Sequence, residues 1–211
     1  MPFIGNKPSA VPLTSADIAD GIITSAKIVD GTIVNADINA SAGIVASKLS
    51  GVGGLTEADQ WRLSANFDIP TSATTVTGWE RSDEPSYSIL GTGMTESSGI
   101  FTFPSTGYYL VTFTGQVASE DYNSTNAFIY IEATLNNSTY NQVSLGWIGY
   151  KGGANPPSRT ITSCSAIIDV TNTSNVKVRF IANDNDNVNI DLEGNTDLNY
   201  TSVTFLKLGD T

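Results

Sequence analysis

No histidine occurs among the 211 residues, and Cys164 is the single cysteine. The first absence removes the Ser-His-Asp and Cys-His nucleophilic arrangements and the common histidine-based zinc sites. The second removes any intrachain disulfide. Cys164 lies in Thr162-Ser-Cys-Ser-Ala-Ile-Ile168, among strand formers and with no base beside it, so a buried, inert thiol is expected. Cations are scarce too: ten Lys and Arg stand against 21 Asp and Glu, a net charge of −11. A surface of that sign repels phosphate backbones and anionic lipid, so neither a nucleic-acid partner nor membrane insertion is expected. No window approaches the roughly 18 apolar residues that span a bilayer. The opening Met-Pro-Phe-Ile-Gly-Asn-Lys has neither the basic flank nor the apolar stretch of a recognisable export signal. No glycine-rich loop stands between a strand and a helix to cradle phosphate, and no cofactor is expected. Of enzymatic chemistries only paired carboxylates are left, as in a glycan hydrolase. Glu80, Asp83 and Glu84 are close in sequence, but a solvated loop is the plainer reading, and the chain is expected not to be an enzyme.

What the chain does have is strand chemistry. Thr, Ser, Asn and Val abound, 19 residues are glycine and only 15% are charged. The informative stretch is Gly99 to Phe113. Ile100 to Phe103 is an apolar run, Pro104 cannot donate to a ladder, and Gly107 tolerates positive φ, so the chain should turn and re-enter a sheet. Beyond Gly107 a period of two begins: Tyr109, Val111 and Phe113 share one face, Tyr108, Leu110 and Thr112 the other. Both faces are apolar enough to predict cover on both sides. Further runs at 75–79, 88–90, 127–135, 142–148, 160–170, 176–182, 188–192 and 200–208, separated by Gly, Pro, Asn, Asp and Ser, bring the predicted strands to ten. In 127–135 the outward set Phe128, Tyr130 and Glu132 is partly aromatic, which predicts a neighbouring subunit against it.

The first quarter is different. Thr14-Ser-Ala-Asp-Ile-Ala-Asp-Gly21, Thr24-Ser-Ala-Lys-Ile-Val-Asp-Gly31 and Val34-Asn-Ala-Asp-Ile-Asn-Ala-Ser41 repeat every ten residues, with a degenerate fourth unit at 45–51. Each predicts one capped helical turn, followed in the first two by an Asp-Gly reversal. Two or three apolar side chains per unit are too few to bury one another within a single chain. Ile18, Ile28, Ile38 and Leu49 should therefore meet their counterparts on other chains, three of which would close the stripe. The alternating Asp17, Lys27, Asp37 and Lys48 would then set register between staggered chains. This divides the protein into an extended anchoring arm (1–12), a repeat stalk (13–54), a helical neck (55–66) and a head (67–211). The neck is predicted as a helix over about 57–65, from Thr56 as cap, Glu57 and Asp59 in the first turn and an apolar side containing Trp61, which would either pack near the trimer axis or cover its own chain's jelly roll.

Phe103-Pro104, Gly107, Tyr109 and the alternating strand ending at Phe113, together with Val176 to Phe180 and the closing Tyr200-Thr-Ser-Val-Thr-Phe-Leu-Lys-Leu208, resemble the globular heads of the complement and tumour-necrosis-factor superfamily. That resemblance covers roughly residues 75–208 and implies a mainly β, ten-stranded jelly-roll sandwich that assembles as a homotrimer. Arm, decapeptide repeats, neck and head in that order resemble the short fibre proteins of tailed bacteriophages. This second resemblance implies a virion protein held by its N-terminus, through Phe3 and Ile4, to another virion component, with the head touching a host surface glycan or protein. A purely structural decoration or collar protein is the alternative. Tyr122, Tyr140, Trp147 and Tyr150, in loops of the head, are the candidates for stacking on a glycan, and ordinary packing is the plainer role for each. The oxygen-rich run Asn183 to Glu193 makes Asp184, Asp186 and Asp191 candidate ligands for a hard cation such as calcium, although an EF-hand's glycine and spacing are missing.

Overall fold

The computed structural model describes residues 19–39, 41–44, 54–85, 87–119, 126–149, 158–185 and 190–211. The chain forms two units, Met1–Gly53 and Gly54–Thr211.

In the first unit the ten-residue sequence period is also a backbone period. Residues Ser25–Lys27 and Asn35–Asp37 are single 3₁₀ turns, closed by Lys27 N donating to Thr24 O and Asp37 N to Val34 O at 2.9 Å each. Before each lies a reversal, in which Ile22 N donates to Ala19 O and Thr32 N to Val29 O. Gly21 and Gly31 both sit at φ 77°, a conformation an L side chain rarely adopts, which is why Asp-Gly recurs there. Side-chain environments repeat as well: Ile23 and Ile33 are each 55% exposed, Ile28 and Ile38 each 40%. The apolar period is thus five residues with two alternating classes, finer than the single stripe expected. Ile18 and Leu49 lie outside the described residues, as do Phe3 and Ile4. The charged position has a local use: Asp37 accepts from Val34 N at 2.9 Å, and Lys27 Nζ donates to Ile22 O.

The second unit is built of strands β1 (Ala58–Leu63), β2 (Phe67–Asp68), β3 (Thr74–Thr75), β4 (Trp79–Arg81), β5 (Thr95–Ser97), β6 (Ile100–Thr102), β7 (Gly107–Ser119), β8 (Ala127–Thr134), β9 (Tyr140–Ile148), β10 (Ser158–Val170), β11 (Lys177–Asp184), β12 (Ile190–Leu192) and β13 (Ser202–Gly209). All pairings are antiparallel and fall into two sheets. The first runs β2-β12-β7-β13-β1-β4, with β10 along the other edge of β7; the second runs β5-β6-β11-β8-β9, with β3 also on β11. Between them lies a core in which Phe180 is the hub. Its ring centroid is 5.6 Å from Trp79, 5.3 Å from Phe101, 5.0 Å from Phe113 and 6.0 Å from Phe205.

Several expectations need correcting. Residues 57–65 are not a helix. Residues 58–63 form β1, hydrogen-bonded to β13 on one edge and β4 on the other, and two ladders outweigh a local helical preference. Asp59, Trp61 and Leu63 face inward. Trp61 therefore serves its own jelly roll: its ring meets Phe101 edge-on at 5.5 Å, Arg81 lies over it at 4.6 Å, and Nε1 donates to Asp59. The stretch 75–79 is broken at Gly78 (φ 85°) into β3 and β4. Residues 88–90 contribute one bridge, Leu90 to Ala58, rather than a strand. The chain does turn after Phe103 and re-enter a sheet, and the sheet it enters is the other one, since β6 belongs to the second sheet and β7 to the first. Gly107 (φ 138°) makes that crossover possible, since a Cβ there would lie 2.5 Å from Gly209 O. The inner face of β7 is buried as expected, but within one chain Tyr108 is exposed and Leu110 and Thr112 only half covered.

Candidate functional site

Three features of the second unit are candidates for chemistry or recognition. The first is an aromatic shelf on the outer face of the second sheet. Phe128 pairs with Trp147 across β8 and β9, and Tyr130 with Leu145. The Phe128 ring lies 5.2 Å from Trp147, edge-on, and 6.1 Å from Tyr130. Tyr130 is thereby buried within the chain, so the expected neighbour is not needed to dry it, while Trp147 is still 60% exposed. At the other end of β9, Tyr140 is half-buried beneath Arg179, whose Cζ lies 4.2 Å from the ring. Arg179 is held there by Glu132 at 2.7 Å. Burial raises the pKa of Tyr140, against the pull of Arg179. Tyr140 is thus a packed ring and Trp147 a presented one. Tyr122 and Tyr150 lie outside the described residues.

Trp147 is next to the last residue of β9, and strand register places that end of the sandwich. Ala127 pairs with Ile148 and with Asp184, while Ser119 pairs with Ser158 and Ile190. The segments joining β7 to β8, β9 to β10 and β11 to β12 therefore all leave from one end. The chain enters at the other, where Ala58 is level with Leu206 and Leu110.

The second feature is the outer face of the first sheet. Along β10 the buried residues are Cys164, Ile168 and Val170, which leaves Ile161 and Ile167, 65% and 64% exposed, pointing out. Ile167, Leu110, Leu206 and Ala58 form one continuous row across four strands. Exposed Tyr108 and Leu208 flank it. Sequence reasoning passed over Ile161 and Ile167, although a signal was present: both are out of phase with Cys164 and Ile168.

The third feature is a set of ion pairs. Arg62, fully buried, donates to Glu80 at 2.8 Å and to Asp83 at 2.6 Å. Burial works against its charge, but the two carboxylates outweigh that and raise its pKa. Two of the three acids considered for glycan cleavage are thus committed to one guanidinium. Asp59 accepts from Trp61 Nε1, Arg81 and the Met94 amide. Glu193 accepts from Arg159 at 2.8 Å and from Gln116, and the Arg159 bond, opposed by burial, lowers its pKa. The stability this pair contributes is present above the ordinary carboxylate pKa, 4.5, and is lost as pH falls through the lower folded value. The stability difference between the protein and Arg159→Ala, followed by urea unfolding at stepped pH, is therefore expected to shrink toward zero below about pH 4.

Asp184 ends β11 in the second sheet, whereas Asp191 lies on β12 in the first and accepts from Asn66. Asp186 lies outside the described residues. Among the described residues no three His, Cys, Asp or Glu side chains gather as a metal group. Cys164 is buried, and desolvation pushes its pKa up to about 11, an unreactive thiol as expected.

No protein-family model matches the chain, and no curated protein matches its sequence. Solved structures do. The Eiger tumour-necrosis factor of S. frugiperda aligns at 13% identity over 73% of this chain and 93% of its own, with a TM-score of 0.53. Murine APRIL at pH 5.0 aligns at 14% identity over 72% and 98%, with a TM-score of 0.50. The globular domain of zebrafish complement 1qA protein aligns at 9% identity over 74% and 99%; its TM-score of 0.45 carries no weight. At such identities the likeness shows a fold: the second unit is a tumour-necrosis-factor-like jelly roll, compatible with a binding or structural role.

Proposed function

We propose that this chain is a homotrimeric virion fibre protein, anchored through its N-terminal arm to another virion component and presenting the jelly roll for attachment to a host surface. The observation that carries the reading is the first unit. Isoleucines recur every five residues at 40–55% exposure along a backbone that repeats every ten. Such a segment has no core of its own, and only copies of itself repeat at the same interval. The outward isoleucines of β10 give the jelly roll a second surface for self-association. Trp147 supplies the attachment side: a broad ring, presented at the end of the sandwich away from the point of chain entry, suits stacking on a pyranose face or an apolar protein patch. Three copies per trimer strengthen a weak single contact.

The mass of the full chain in solution tests the assembly, with three chains expected and one chain fatal to it. Attachment is tested by competition. Saturating full-length protein is expected to block adsorption of the parent particle, and Trp147→Ala to weaken that block by about 10- to 30-fold, the loss of an aromatic hot spot. A trimer that leaves adsorption untouched would make the protein decorative. The committed pairing of Glu80 and Asp83 with Arg62 favours a non-enzymatic reading over the hydrolase.

A further inference from the structure

The chain enters the jelly roll through β1, coming from Gly54, where the second unit begins. This strand is bonded along both edges. On one side five residues pair with β13, and Lys207 N donates to Glu57 O at 2.9 Å just ahead of them. On the other, three residues pair with β4, Ser82 N donates to Gln60 O, and Ala58 and Leu90 exchange bonds of 3.0 and 2.9 Å. Side chains add a third set of ties. Glu57 Oε2 accepts from the amides of Thr92 and Gly93 at 2.9 and 3.0 Å, and Asp59 Oδ2 from that of Met94 at 2.7 Å. Those amides lead directly into β5, which belongs to the second sheet. Bonds from a carboxylate to backbone amides are roughly twice as strong as those between neutral groups.

From this geometry we infer that β1 is a load-bearing strand: tension arriving along the chain at Gly54 is held by its two edges together, and Glu57 and Asp59 pass it across to the second sheet. The inference rests on the fibre reading above for the source of the tension, a virion on one side and a host surface on the other. Direction is the first support. β1 runs from the entry end toward the opposite end, where β9 presents Trp147. A pull between those two points acts along the strands, because packed sheets keep their strands within about 30° of each other. The hydrogen bonds of an antiparallel ladder stand perpendicular to its strands. Such a pull therefore shears all the bonds of β1 at once. Continuity is the second support. Beyond residues 92–94 the second sheet runs β5-β6-β11-β8-β9, each strand bonded to the next, from the carboxylate ties to the strand that holds Trp147. The opposite loading exists in the same molecule. β13 also ends at the entry side, with Gly209 level with Tyr108, and it pairs antiparallel with β1. Drawing the two termini apart would peel these strands pair by pair, starting at Glu57 and Lys207.

Single-molecule stretching of the full chain compares the two directions. One handle is at the N-terminus, and the other is at Gly149→Cys, just beyond β9, where nothing lies within 4 Å of a Cβ. Cys164 stays in place, buried and unreactive. The jelly roll is expected to give way at a force at least about three times that needed when the second handle is at the C-terminus, since the ladder is loaded whole in one case and pair by pair in the other. Glu57→Ala removes two of the three carboxylate ties and is expected to lower the first force by about one-third. Glu193→Ala breaks its bonds to Arg159 and Gln116, which lie off this path, and is expected to leave the first force unchanged. Equal forces in the two directions overturn the load-bearing strand. A first force untouched by Glu57→Ala, or lowered as much by Glu193→Ala, overturns the transfer through the carboxylates. The force is read on one chain at a time, so the contrast decides this inference whether the mass in solution is three chains or one.

Discussion

Arg62→Ala is expected to lower the unfolding free energy of the jelly roll by about 3 kcal/mol, toward the low end of the cost of breaking a buried ion pair. The guanidinium is fully buried, but its partners are not: Glu80 is about one-third exposed and Asp83 mostly so. The Asp83 contact is accordingly a surface pair and contributes little, about 0–1 kcal/mol. Most of the loss comes from Glu80 left without its counter-charge and from the cavity where the Arg62 stem packed. Two further variants separate these terms. Asp83→Asn alone is expected to be nearly neutral, and Arg62→Met with Glu80→Gln to recover most of the loss, because volume is kept and no unpaired charge remains. Urea unfolding at neutral pH measures all three, and equal losses from Asp83→Asn and Arg62→Ala would contradict this account.

Phe180→Ala is expected to cost more, about 4–5 kcal/mol, at the upper end for a buried phenylalanine. Its ring is completely buried on β11 and meets four aromatic rings from both sheets. Each such contact adds about 0.5–1.5 kcal/mol beyond the area it covers. With four large neighbours fixed by their own strands, the site cannot collapse around the gap. For a unit of this size, a melting temperature lower by roughly 10–15 °C is the expected reading in a thermal scan. Phe180→Leu, which keeps much of the volume, should lose less than half as much.

These two residues also show where the sequence was readable. Val176 to Phe180 alternates cleanly, as does Tyr109 to Phe113, and both strands stand where period two placed them. β1 does not alternate in hydropathy although it does in geometry. Its inward set includes Asp59, satisfied by Trp61, Arg81 and the Met94 amide, and its outward set includes the buried Arg62. With a carboxylate inward at 59 and an alanine outward at 58, the local cues of a helix start were all that could be read, and tertiary hydrogen bonding overruled them. Residues 67–68 and 95–97 were passed over as strands because two- and three-residue pairings leave no periodicity. At the candidate site, the aromatic character of Trp147 was legible but not its exposure, which depends on Phe128 supporting one edge of the ring. That residues 82 and 90 both return to β1 was illegible, since the bonds of Ser82 to Gln60 and of Leu90 to Ala58 join segments distant in sequence.

The repeated glycine reversals of the first unit bear on how such a protein changes over time. With Gly21 and Gly31 in the same conformation and the 3₁₀ turns equally spaced, one decapeptide is interchangeable with the next. Gain or loss of a whole decapeptide leaves every remaining residue in its old surroundings, whereas a gain of five sets an Asp-Gly bend where a 3₁₀ turn belongs. The number of repeats in the first unit is therefore adjustable in steps of ten residues by duplicating a short stretch of coding sequence.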